Sequence, residues 1–187
     1  TGLIVSTACL GGEIPQAILK GRLDVAEEIA LWYKELFADD FYLEIQDHGS
    51  IEDRIVNVEL LKIGEKHQIK VIATNDAHYI SNMDVEAHDA LLCILTGKLI
   101  SDEKRLRYTG TEYIKSENEM LDLFKDHIDD DSIKEAVNNT VEISKKIEVF
   151  DLFGQYRMPK FPINEKKDSF SLLTQLSNEG LLKRLQK

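Results

Sequence analysis

The chain has 187 residues, 43% of them hydrophobic and 30% charged, enough for one domain with a buried core or for one domain and part of another. Its formal net charge of −11 opposes sequence-independent binding to nucleic acid, so any such contact has to come from a local basic patch. No apolar run approaches the ~20 residues of a membrane span, and no basic-then-apolar signal pattern opens the chain, so a cytoplasmic protein without a membrane partner is expected.

Two cysteines, Cys9 and Cys93, are too few for a disulfide framework and suit a reducing compartment. The sequence starts at Thr1 and enters a strand-like run, Gly2-Leu3-Ile4-Val5, at once, as expected of a segment of a longer protein. This strand, predicted over 2–7, ends in Ala8-Cys9-Leu10-Gly11-Gly12-Glu13, where paired glycines permit a tight turn. A short helix over 14–19, with Pro15 in its first turn, is stopped by Gly21. Leu23, Ala26, Ile29, Ala30, Tyr33 and Phe37 then recur at helical spacing. A second strand, Phe41-Tyr42-Leu43-Glu44-Ile45, ends in Gln46-Asp47-His48-Gly49. Ser50 and Asp53 form a helix start, with Ile51, Ile55, Val58 and Leu61 as the expected buried face. The helix runs to about Lys66, and a third strand over 69–74 leads into Asn75-Asp76-Ala77-His78-Tyr79.

Strand, helix, strand, helix, strand is the pattern of a parallel sheet with right-handed crossovers, open or closed into a barrel. In both cases the chemistry sits on loops after the strands' C-terminal ends. Those loops carry Cys9, then Glu44 and His48, then Asp76 and His78.

Beyond Tyr79 the pattern turns helical. Ser81 and Asp84 open a helix whose stripe is Ala87, Ala90, Leu91, Ile94 and Leu95, capped by Gly97. A polar, basic segment over 101–110 precedes a brief strand over 111–114. Capping boxes at Ser116/Glu119 and Ser132/Glu135 start two more helices, the second running to about Glu148. Asp129, Asp130 and Asp131, just ahead of it, read as capping that helix and favouring its dipole, not as a metal site. The segment 157–164, with Pro159 and Pro162, reads as an extended connector to a last short helix from about Ser169.

Asp76 and His78 alternate on one face if the third strand stays extended, which suits two ligands of a divalent ion. Nitrogen and carboxylate donors fit Zn²⁺ or Mn²⁺, and a thiolate from Cys9 favours Zn²⁺. The plainer alternative has Asp76 capping a turn and His78 packing on Tyr79. Cys9 alone is as well explained as a small packed residue, and Glu44 and His48 as hydrogen-bond partners lining the mouth. His88, next to Asp89, suits a surface or interdomain position, and Cys93 the core. His67 and His127 lie near helix ends, where dipole interactions explain them. Lys104-Arg105-Leu106-Arg107-Tyr108, with the later Lys183-Arg184, is the best basic patch, or simply a solvated turn.

The runs Gly2–Glu13, Phe41–His48 and Ala73–Tyr79, continued by His88–Lys98, Arg107–Tyr113 and Ala136–Ile143, resemble the PHP domain of bacterial DNA polymerase III alpha subunits, the C-family replicases, in their cyanobacterial type. The resemblance runs in order along essentially the whole chain. It implies an α/β fold, a partial PHP-type (β/α)7-like barrel with parallel strands followed by a mainly helical segment. Residues 1–128 would be the C-terminal part of the PHP domain, and 129–187 a linker and the start of the polymerase palm. Of the family's metal-binding positions, Cys9, Asp76 and His78 match. A divalent metal, Zn or Mn, is implied there, and Mg at the polymerase site outside this stretch. DNA, the sliding clamp and other replisome subunits are the implied partners of the full-length subunit. Some members use the PHP site as a 3′–5′ proofreading exonuclease, while in others it is structural and braces the palm. This chain lacks the family's His-x-His motif and the palm carboxylates, so activity is not expected of it alone. A stand-alone PHP phosphoesterase is a further alternative, against which the motifs between His88 and Tyr113 count.

Overall fold

The structure, a computed structural model, describes residues 2–149, 153–154, 162–163 and 168–186. It divides into two compact units, Thr1–Glu148 and Val149–Lys187. The first is a mixed α/β unit built on a parallel sheet in the order β1 (Val5–Ser6), β2 (Phe41–Ile45), β3 (Val71–Ala73). Register pairs Val5 with Phe41, Leu43 with Val71 and Ile45 with Ala73. All three strands therefore release their C-terminal loops at the same end of the sheet. The outer strands are shorter than their apolar runs suggest.

Strand alternation splits β2 between two environments. Phe41, Leu43 and Ile45 join the main core with Val71 and Ala73 of β3, while Tyr42 and Glu44 face the opposite side. Three helices cover the core face: α1 (Glu13–Leu19) through Ile14 and Ile18, α2 (Leu23–Phe37) through Ala26 and Ala30, and α3 (Ile51–His67) through Val56, Leu60 and Ile63. In α3 the buried face differs from the expected one, since Ile51 and Ile55 point to solvent. Gly64 explains the rotation: a Cβ there would lie 2.9 Å from both the Ile69 carbonyl and Val71 Cγ2, so the helix turns its glycine edge onto the sheet.

Three Ser-x-x-Asp/Glu caps expected from sequence are formed, at Ser50/Asp53, Ser81/Asp84 and Ser116/Glu119. The fourth is displaced. Asp129, not Ser132, is the N-cap of α6 (Asp130–Lys146), accepting the Ser132 N–H at 2.9 Å. α6 packs with α5 (Glu117–Phe124) through Ile133, Ala136, Met120 and Phe124, and shields the outer edge of β3, where Asn139 Nδ2 donates to the Val71 carbonyl at 2.8 Å. The brief strand expected over 111–114 is a single parallel bridge between Tyr79 and Tyr113.

α4 (Val85–Thr96) ends at Gly97 and buries Cys93, both as expected. Leu92 and Cys93 are buried, whereas Leu91, Ile94 and Leu95 are exposed. On this helix Asp89 makes a two-pronged ion pair with Arg105, and the His88 ring packs on Tyr79.

The second unit contains α7 (Ser169–Leu185), which begins where expected and is capped by Asp168. The connector predicted over 157–164 lies, apart from residues 162–163, outside the described residues. No helix among the described residues is long and apolar enough to cross a membrane.

Candidate functional site

The loops after β1, β2 and β3 meet at the sheet's C-terminal end, and Glu44 ties them together. Its carboxylate accepts the Thr74 and Ser6 hydroxyls, both at 2.5 Å, and the Gln46 amide at 3.1 Å. Its own N–H donates to Thr7 Oγ1 at 2.8 Å. One residue on the middle strand is thus bonded to both neighbours, and the ladder fixes where each loop departs.

The third loop does not continue the extended strand. Asp76 has φ +46°, a left-handed conformation that Asp tolerates better than most residues. The chain doubles back, and His78 Nε2 comes within 3.3 Å of Asp76 Oδ2. Both side chains remain partly open to solvent. The imidazole packs on Tyr108, with ring centroids 4.4 Å apart, and on His88 at 5.6 Å. His88, expected at a surface or interdomain position, instead belongs to this ring cluster, which also includes Tyr79 at 5.1 Å.

In the first loop Cys9 is exposed and follows Ala8, itself at φ +59°. A left-handed non-glycine residue therefore directly precedes Cys9 in one loop, and another stands at Asp76 in the other. Such strain persists only where surroundings hold it. Cys9 and Glu44 line a common shallow crevice with Gln46 and Asn57. Among the described residues, however, Cys9, Asp76 and His78 do not have ligand atoms all within 4.8 Å of one another.

His48, at the β2 exit, bonds through Nδ1 to Thr111 Oγ1 at 2.9 Å and lies 3.6 Å from Glu112 Oε1. Glu112 is buried at 2% exposure. Burial alone would raise its pKa, but the Thr109 hydroxyl and N–H, its own N–H and that of Gly110 outweigh it and bring the value down to about 2. It is an anion at the mouth at any physiological pH.

Among the described residues, the group whose ligand atoms do lie mutually within 4.8 Å is Asp47, Asp126 and His127. Its chemistry is that of a closed ion-pair network. Arg54 reaches Asp126 at 2.7 Å and Asp47 at 3.8 Å, already supplying the positive charge. His127 directs Nδ1 to Asp126 at 2.6 Å, while Nε2 faces the Asn57 amide at 3.3 Å. The His127 hydrogen bond holds the Asp126 carboxyl below the usual range. His127 is therefore fixed by side-chain partners, beyond the helix-end interaction expected of it.

The PHP domain family matches residues 1–48. The DNA polymerase III alpha subunit of Borreliella burgdorferi is 40% identical over 183 residues, covering 96% of this chain. That of Thermus aquaticus is 38% identical over 187 residues, covering 98%, and that of Campylobacter jejuni 36% over 192 residues, covering 95%. The chain is homologous to a stretch of the DNA polymerase III alpha subunits. It spans 15% of the length of each of these three relatives.

Within this chain, the described structure brings Asp76 and His78 together, ties Glu44 to the strands on either side and places His48 beside Glu112. It leaves Cys9 on its own loop. Sequence reasoning missed Glu112, Asp47, Arg54, Asp126 and Tyr108. The only local signal for Glu112 was Thr109-Gly110, a turn pair whose amides a nearby carboxylate can cap.

Proposed function

We propose that the chain contributes one wall of a divalent-metal site in the PHP region of a replicative DNA polymerase III alpha subunit. Cys9, Asp76 and His78 are the metal-binding residues in this reading, with Glu44 and His48 as hydrogen-bonding residues beside them. The observation that carries it is the Asp76–His78 approach of 3.3 Å at the shared end of a parallel sheet. An exposed carboxylate and imidazole, with a thiol one loop away, form a donor set suited to Zn²⁺ or Mn²⁺. When bound, such an ion supplies Lewis-acid stabilisation at a phosphoryl oxygen. The chain's own part is to hold the donors, through the Glu44 ladder and the ring cluster around His78.

Residues 1–128 are assigned to the C-terminal part of the PHP barrel and 129–187 to the linker and start of the palm, with the remaining barrel strands, donors and palm contributed by the rest of the subunit. The 15% coverage of its relatives supports that division of labour. Mg²⁺-dependent nucleotidyl transfer, DNA binding and clamp contacts belong in this reading to the full-length cytoplasmic enzyme, and the PHP site to 3′–5′ proofreading.

A structural role, bracing the palm, is favoured by one observation: Asn139 of α6 donates to the Val71 carbonyl of β3 at 2.8 Å, tying the segment beyond residue 129 to the sheet. Metal content and primer degradation of the full-length subunit and its Asp76→Asn variant separate the readings. Loss of both supports the metal site. Wild-type values in the variant would leave only the structural role.

A further inference from the structure

We propose that Glu112 is a positioning residue for the metal-binding turn, fixing Asp76–His78 against the β2 loop; this rests on the reading of Asp76 and His78 as metal-binding residues. Its carboxylate closes the turn over residues 109–112. Oε1 accepts the Thr109 N–H at 3.0 Å and hydroxyl at 2.7 Å, and Oε2 accepts the Gly110 N–H at 3.0 Å.

The closed turn then grips the third loop. The Glu112 carbonyl accepts the His78 N–H at 2.8 Å and the Tyr79 N–H at 3.3 Å, and the Tyr79 carbonyl accepts from Ile114 at 3.2 Å. On the other side of Asp76, Asn75 Nδ2 donates to the Thr111 and Tyr113 carbonyls at 3.0 and 2.6 Å. The left-handed Asp76 is thereby pinned from both flanks. Glu112 Oε2 also accepts the Tyr79 hydroxyl at 3.2 Å, and Oε1 faces His48 at 3.6 Å. A single buried carboxylate links the turn to both mouth loops.

A buried charge is a costly way to close a turn that neutral groups can close. Its location directly behind the His78 backbone is what assigns it to the site. Residues that orient ligands from behind typically change metal affinity by about 10–100-fold when altered.

The test is a calorimetric titration of metal-free full-length alpha subunit with Mn²⁺, comparing wild type, Glu112→Gln, Tyr79→Phe and Asp76→Asn. Glu112→Gln is expected to bind about tenfold more weakly or worse at a temperature where the metal-free protein remains folded. Excess Mn²⁺ should restore primer degradation. Tyr79→Phe removes one bond to the carboxylate, should weaken binding a few-fold, and decides the matter if Glu112→Gln does not fold. Wild-type affinity in both variants overturns the proposal, as does a lowered melting temperature with unchanged affinity. If Asp76→Asn also binds as wild type, the metal reading itself falls; if Asp76→Asn alone is impaired, only the role of Glu112 falls.

Discussion

Thr74 Oγ1 donates to Glu44 Oε1 at 2.5 Å, so the exit of β3 is bonded to the middle strand at the point where the candidate ligand loop begins. Ser6 makes the matching bond from β1 at 2.5 Å. Side-chain bonds of this kind supplement a backbone ladder only two or three residues long on each flank.

Glu44→Gln replaces two acceptor oxygens by one and removes the charge that strengthens these bonds. It is expected to destabilise the chain by about 1–2 kcal/mol. Urea unfolding checks it, and an unchanged midpoint would show that the ladder does not depend on this carboxylate.

Gly12 is required by space. A Cβ there would stand 2.2 Å from the Thr7 carbonyl and 3.2 Å from that of Cys9. Gly12→Ala must therefore open the β1 loop, at a cost of about 1–3 kcal/mol by the usual penalty for overpacking. Faster thiol labelling of Cys9, measured beside the unfolding midpoint, should accompany it.

Asn139 satisfies a carbonyl on the free edge of β3. Asn139→Leu keeps similar bulk but leaves the Val71 C=O without that donor, costing about 1–3 kcal/mol. Hydrogen exchange should then accelerate in β3 and α6 together. Protection unchanged in β3 would show that α6 does not secure the sheet edge.

Acid titration should reveal Glu112. Its folded pKa of about 2 lies below its ordinary value of 4.5, so the carboxylate favours folding most fully above pH 4.5. That contribution is lost as pH falls from 4.5 through about 2, and amounts to about 2 kcal/mol after allowing for solvent screening at the mouth. Stability measured across this window should fall less steeply in Glu112→Gln than in wild type. Identical slopes would show that the buried carboxylate is not the group responsible.

Much of the local structure was legible in the residues. α2 and β2 fall where spacing and aromatic content predict, and three Ser-x-x-Asp/Glu caps close as expected. For α6 the acidic run from Asp129 and the box at Ser132 both read as caps; Asp129 serves, because both are competent N-caps and only the path of the preceding turn chooses between them. The face of α3 was misjudged because one glycine, not the isoleucines, sets the close approach to the sheet. The apolar stripe of α4 followed from its periodicity, which records that a face is apolar and not what it meets, and Leu91, Ile94 and Leu95 lie exposed.

The candidate site divides the same way. Sequence alone determined that three strand ends carry Cys9, Glu44 with His48, and Asp76 with His78, because period-2 patterning and turn residues are local properties. The left-handed turn at Asp76, its closure onto His78, and the Glu112 carboxylate beside His48 were decided only by tertiary structure. Glu112 is 64 residues along the chain from His48 and 34 from His78, and meets them only once α4 and the following loop have folded back across the mouth. A short-range pattern cannot encode which buried charge closes a long-range contact; the hydrogen bonds that make such burial tolerable exist only in the packed molecule.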